Sequence, residues 1–381
     1  MAYFDNAATT YPKPEKVYSQ MDTFYRECGG SAGRGKYEIA KTAGTLIAET
    51  RSLLQEVLRC HNKQIIFTPT ATIALNMIIQ GVIKTGVRNI YISPFEHNAV
   101  TRVLHHFEQK GDIKVMQLKV SEGLKYDLEQ IRYQFDEVRP DFVIASHASN
   151  VIGLISPVEE IFSLAKIYNA ITLVDMAQTA GIVELNAGLQ DIDFAVFAGH
   201  KTLYGPTGIS GFAMKPDFNL PAILFGGTGY ESANQDMPKS LPEKFEFGTT
   251  NILGIAGLNA ALKWHEEIGF ETLAKKEKEN RDKLIALLKE YDFISIVGCE
   301  DAVNYVGIVA CTVEGISSDS AGSIFDNGNI SVRTGLQCAP LAHKFLGTFP
   351  EGTIRFSTGY FTDDDDFKEL KELLDYIEEN I

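Results

Sequence analysis

A chain of 381 residues, 45% hydrophobic and 22% charged, has the composition of a globular protein and is too long for one ordinary core. Its formal net charge of −15, with no run of basic residues, excludes the basic face that nucleic-acid binding needs. The five cysteines, Cys28, Cys60, Cys299, Cys311 and Cys338, contain no CxxC pair, so neither a disulfide framework nor a zinc site is expected, and no metal is assigned.

Free thiols fit a reducing compartment. No charged-then-apolar segment stands before the YFDNAATT run, and no apolar stretch reaches the ~18 residues of a membrane span, so cytoplasmic residence without membrane contact is the expectation.

In chain order, AYFDNAATTYPKP reads as an extended arm ending in two prolines, followed by a helix from about Glu15 to Cys28. Glycines then make SAGRGKYE a loop at the mouth of a cleft, and helical periodicity resumes from Ile39 to Leu58. From Ile65 strands and helices alternate, the mark of a parallel, doubly wound α/β sheet. IIFTP, NIYISP, DIKVMQL, DFVIASHASN, ITLVDMAQ and FAVFA are the strands. The helices between them include Ala71 to Ile83, the EHNAVTRVLHHFEQKG segment and Val158 to Tyr168.

GISGFAMK is a further strand, and a Gly/Pro/Ser-rich loop from Phe225 to Asn251 follows it. A domain boundary after that loop gives a large domain over 15–253 and a smaller α+β domain over 254–381, with the arm 1–14 joined to the latter. In the small domain a long helical stretch runs from Gly254 to Lys289. Strands FISIV, VGIVACTVE, ISVRTG and GTIRFSTG follow, with a helix in SSDSAGSIFDNG. The acidic cluster Asp363 to Asp366 opens the closing helix, where carboxylates meet unpaired N–H groups.

Two strand ends carry complementary groups. ITLVD ends in Asp175, with Ala177 and Gln178 just beyond, and FAVFA runs into Gly199, His200 and Lys201. Open α/β sheets place their ligand crevice at the C-terminal ends of such strands. Alone, Asp175 reads as a helix cap and Lys201 as a solvated loop lysine. Together they suit pyridoxal 5'-phosphate, which is carried on a lysine amine while a carboxylate faces its ring nitrogen.

With YFDNAATT near the start, VDMAQ, AGHK before GPTG, and RTGLQCAP near the end, the chain resembles the class V, fold-type I pyridoxal-phosphate enzymes over nearly its whole length. Within them it is similar to the cysteine desulfurases and selenocysteine lyases, closer to the Suf-type branch with a short cysteine loop. The resemblance implies the fold-type I transferase fold. It also implies phosphate contacts from Ala71, Thr72 and His200, ring stacking and proton shuttling by His97, a ring-hydroxyl bond from Gln178, and contact of Asn150 with ring oxygen and substrate carboxylate. Thr249 would reach the phosphate of a neighbouring subunit, which implies a homodimer. Departures are Ala198 and Ala71 where the Suf-type pattern has hydroxyls, and Thr202 as an insertion. In the mouth loop Arg34 matches, but Lys36 replaces a histidine.

Arg355 is the candidate for the substrate α-carboxylate, since guanidinium binds carboxylate through two parallel hydrogen bonds; a structural ion pair is the rival reading. Cys338, on a short loop after Arg333-Thr334-Gly335, is a candidate nucleophile toward the sulfur of a substrate cysteine, with Arg333 lowering its pKa or holding the loop. Cys60, Cys299 and Cys311 read as buried small hydrophobes, and His105, His106 and His343 carry no assigned role.

The implied activity is removal of sulfur or selenium from L-cysteine or L-selenocysteine to give L-alanine, with Lys201, Cys338 and His97 catalytic and the persulfide passed on to a sulfur-acceptor protein. The alternatives are another class V reaction such as transamination, a selenocysteine lyase, or a non-catalytic dimeric scaffold.

Overall fold

The computed structural model describes residues 1–30, 35, 37–298 and 304–380. Strand β1 (Ala2–Tyr3) belongs to the arm; α1 (Glu15–Cys28) and α2 (Glu38–Val57) follow it. The alternating segment supplies β2 (Gln64–Thr68), α3 (Ala71–Ile83), β3 (Asn89–Ile92), α4 (Asn98–Gln109), β4 (Lys114–Gln117), α5 (Leu128–Glu137), β5 (Phe142–Ser146), α6 (Val158–Ile167), β6 (Ile171–Asp175), β7 (Phe194–Ala198) and β8 (Ser210–Met214). These strands form a seven-stranded sheet in the order β2-β8-β7-β6-β5-β3-β4. Only β8 runs against its neighbours β2 and β7; the other pairings are parallel.

A parallel sheet covered on both faces needs strands apolar at every position, and here alternate residues serve two cores. Val143, Ala145, Val174 and Phe197 pack with α2, α5 and α6, while Phe142, Ile144, Leu173 and Val196 pack with α3 and α4.

Beyond the sheet come α7 (Ile252–Ile268), α8 (Phe270–Leu288), β9 (Ile294–Val297), β10 (Ile308–Val313), α9 (Ser318–Asn327), β11 (Ile330–Ser331), β12 (Arg333–Gly335), α10 (Pro340–Leu346), β13 (Thr353–Ser357) and α11 (Asp364–Asn380). The single long helix expected from Gly254 to Lys289 is two helices, broken at Gly269, whose φ of +82° suits glycine. The first of them, α7, gives Ile255, Ala256, Leu258 and Leu262 to the large core, past the boundary expected after residue 253. We therefore propose the domain division at Gly269. ISVRTG also splits: β11 pairs with the arm strand β1, whereas β12 joins β13, β10 and β9. Phe4 of the arm lies in the small core with Phe325, Phe356 and Phe367, so the chain's start is bound to its end. No helix among the described residues is long and apolar enough to cross a membrane.

Candidate active site

The C-terminal edge of the large sheet gathers the polar groups. β6 ends in Asp175, β7 runs into Gly199-His200-Lys201, β5 ends in Ser146 before the turn bearing Asn150, and β2 leads into the first turn of α3. With His97, from the segment after β3, they line a cavity of about 220 Å³ that also takes in Ala71, Thr72, Gln178 and Ala198. The turn before Lys201 depends on Gly199: a Cβ there would lie 2.4 Å from the Ile209 carbonyl oxygen.

Burial sets the electrostatics. It pulls the Lys201 amine from 10.5 to about 8, with the Asp175 charge opposing and Arg355 assisting. Burial also raises Asp175, against the Ala177 N–H, which donates to Oδ1 at 2.9 Å, and against Lys201. Behind them Glu96, fully buried, is driven to about 8 by burial and by the Asp175 charge, although it accepts the Ser146 N–H and hydroxyl at 2.6 and 2.9 Å. A value near 8 leaves Glu96 largely protonated at neutral pH, and burial raises Asp175 as well.

His97 is the N-cap of α4. Its Nδ1 accepts the Ala99 N–H at 3.0 Å, and burial with nearby Lys201, Arg355 and Arg102 lowers it to about 4. The ring is therefore neutral, with its proton on Nε2.

The lining fits pyridoxal phosphate. The first turn of α3 offers unpaired N–H groups to a phosphate, and the buried His200 Nδ1 has no partner in the protein. The amine and carboxylate that the ring needs are both present. Ala71 and Ala198 give methyl groups where hydroxyls were expected. The nearby Thr70 hydroxyl accepts the Ile73 N–H at 3.2 Å as the α3 cap. Gln178 Nε2 donates to the Ala7 carbonyl at 2.9 Å, which ties the arm to the cavity wall.

Cys338 lies at the mouth. It is exposed, whereas Cys60 and Cys311 are buried and their thiols are pushed up to about 12. It lines a wider hollow of about 500 Å³ that shares Thr72, His97 and Ala99 with the inner cavity. Its carbonyl accepts the Asn98 N–H at 2.7 Å, and Asn150 Nδ2 donates to the Gln337 carbonyl at 2.7 Å.

The two arginines converge on one carboxylate. Asp5 Oδ1 accepts from Arg355 Nη2 at 2.8 Å and Asp5 Oδ2 from Arg333 Nη2 at 2.6 Å. Arg355 Nη1 also donates to the Asn150 carbonyl at 2.9 Å, and its buried Nε has no partner. The ion-pair reading of Arg355 is thus present in the structure, and it leaves donor capacity on the guanidinium.

Thr249 is exposed and lies outside the Lys201 cavity, in a separate hollow with Phe67 and Ile73. Arg34, Lys36 and Cys299 lie outside the described residues. Sequence reasoning missed Asp5 and the buried role of Glu96, and assigned nothing to Gln337 or His343. Asp5 lies inside YFDNAATT, one of the motifs that carry the resemblance, and that was the available signal for it.

Residues 2–370 match the family model described as aminotransferase class-V. The chain belongs to that family. Class-V aminotransferases and cysteine desulfurases depend on pyridoxal phosphate. The chain is similar to a probable cysteine desulfurase of Methanothermobacter thermautotrophicus, 29% identical over 382 residues, covering 98% of this chain and 94% of that protein. A probable cysteine desulfurase of Pyrococcus abyssi is 29% identical over 99% of this chain and 93% of its own length. Among solved structures, the apo cysteine desulfurase of Thermococcus onnurineus superposes with a TM-score of 0.92 at 27% identity, covering 100% of this chain and 95% of the other.

Proposed function

We propose that this class-V family member is a pyridoxal-phosphate-dependent cysteine desulfurase that takes sulfur from L-cysteine, leaves L-alanine, and receives the sulfur on Cys338. The observation that carries this reading is an exposed thiol on a loop anchored to Asn150 and Asn98, at the mouth of the cavity that holds Lys201 and Asp175.

Lys201 would carry the cofactor, Asp175 would face its ring nitrogen, and the α3 N-terminus with Thr72 and His200 would hold its phosphate. Bound there, the cofactor supplies an electron sink for charge developing at the substrate Cα. The remaining work falls to the chain. Arg355 orients the α-carboxylate with Asn150 beside it. Lys201, whose value near 8 leaves it partly neutral at physiological pH, takes the Cα proton. The neutral His97, in the cavity wall, would stack on the bound ring and offer the proton on its Nε2. The Cys338 thiolate then attacks the substrate sulfur: an S–S bond forms as the C–S bond breaks, and the carbon keeps the electron pair and takes a proton. Arg333, held on Asp5, fixes the start of the thiol loop.

The working form is proposed as a cytoplasmic homodimer. In support, Thr249 is exposed outside its own cavity, available to a second copy. The persulfide passes to an acceptor protein.

The test is an incubation of the pyridoxal-phosphate-supplemented protein with L-cysteine or L-selenocysteine under reductant, assaying alanine with sulfide or selenide. Equimolar alanine and sulfide support the proposal. Selenide without sulfide makes it a selenocysteine lyase, and consumption of a keto acid without sulfide makes it an aminotransferase.

A further inference from the structure

We propose that Gln337 and His343 are positioning residues that hold Cys338 in its attacking pose through a buried hydrogen-bond relay. The inference rests on the desulfurase reading and concerns only the step made by the thiol.

The loop is strained where the thiol sits. Gln337 and Cys338 are consecutive non-glycine residues in the left-handed region, with φ of +39° and +57°. Such conformations persist only where surrounding structure over-determines them. Here the restraint is on the page. The Gln337 side chain is buried; its Nε2 donates to the Thr353 carbonyl at 2.9 Å, so its Oε1 is the acceptor. That oxygen takes His343 Nε2 at 2.8 Å and the Thr353 hydroxyl at 3.2 Å.

His343 is fully buried, and its Nδ1 meets the Thr348 hydroxyl at 2.8 Å. Because Gln337 Oε1 can only accept, His343 Nε2 must carry the proton, and Nδ1 must accept from Thr348. Burial keeps this ring neutral, against the pull of the Leu336 carbonyl. Each polar atom of the relay has a partner within the protein, Thr348 closing it at the half-buried end, so swinging Gln337 out would orphan His343 and Thr353 at once. The left-handed pose is then the one state the loop can hold. Neither residue lines the cavity around Lys201; Gln337 meets its wall only through the backbone carbonyl that accepts from Asn150, which a side-chain substitution leaves in place.

The test uses the cofactor-loaded variants Gln337→Ala, His343→Ala and His343→Gln. Misplacing an attacking atom by about 1 Å costs up to about 100-fold. The expected result is a 10- to 100-fold fall in kcat for alanine from L-cysteine in the two alanine variants, with KM and the cofactor absorbance within about twofold of the parent. Alanine from L-selenocysteine, where selenium leaves without a nucleophile, stays within about threefold. His343→Gln, which restores an N–H donor, recovers most of the loss. In the cofactor-free protein, amide exchange at 336–339 accelerates in the alanine variants while β6 and β7 stay protected.

Equal losses on both substrates mean a merely structural role and overturn the inference, as do parental cysteine turnover and unchanged exchange. A Cys338→Ala control separates the two claims. If it retains full cysteine turnover, the desulfurase mechanism itself fails. If it is inactive while Gln337→Ala and His343→Ala match the parent, only the relay fails.

Discussion

In the proposed function Lys201 carries pyridoxal phosphate, a covalent capture that needs the amine neutral, and burial sets the pH at which that holds. A lysine with the ordinary value of 10.5 is about 0.03% neutral at pH 7, whereas one at about 8 is about 9% neutral, a gain of roughly 300-fold in reactive amine. The sign follows from the cause: burial penalises the ammonium, so the folded value falls and the neutral form appears earlier as pH rises.

The assay mixes cofactor-free protein with pyridoxal 5'-phosphate between pH 7 and 10, a range in which the phosphate group, with a second pKa of about 6, stays dianionic. Appearance of the lysine-bound absorbance band gives the rate. It should rise about fivefold between pH 7 and 8, as the neutral fraction goes from about 9% to about half, then about twofold more before levelling off above pH 9. Asp175→Asn, which removes the charge that supports the ammonium, should move the inflection lower. An inflection at pH 10 or above, or none at all, would refute the reasoning about burial.

Asp5→Asn leaves the buried Arg355 without its counter-charge, which costs about 3 kcal/mol. At roughly 2.1 cal/mol/K per residue over 381 residues, that is a fall of about 4 °C in the Tm read by scanning calorimetry. Arg355→Lys replaces a planar fork by a point charge and should raise KM for L-cysteine about 10- to 100-fold, with the cofactor band unchanged; steady-state kinetics decides it. Gly199→Ala drives a methyl to 2.4 Å from the Ile209 carbonyl, so a denaturation midpoint should show a loss of about 2 kcal/mol, with reduced cofactor retention.

The large sheet was legible because a strand buried on both faces must be apolar throughout, and five-residue β-branched and aromatic runs such as FVIAS and FAVFA are too short for a buried helix. Asp175 and Lys201 were legible for a related reason: a charged group directly after such a run marks the ligand edge. What escaped reading depends on long-range pairing. Asp5 looks like any exposed turn aspartate until β13 brings Arg355 beside it. Gly269 breaks a helix that side-chain periodicity alone would continue. The small helix α10 and its His343 are too short for any period to show, and only packing against Gln337 gives them meaning.

The pairing of the arm with β11 and the Asp5–Ser357 bridge have a consequence during synthesis. A ribosome makes the chain from its first residue onward, yet Phe4 and Asp5 find their neighbours only when residues 325 to 357 have emerged. The doubly wound sheet can assemble while translation proceeds, but the corner where Asp5 meets Arg355 and the loop of Cys338 come into being last. The strand ends that bear Asp175 and Lys201 therefore emerge well before the contacts that join Asp5 to Arg355 can form.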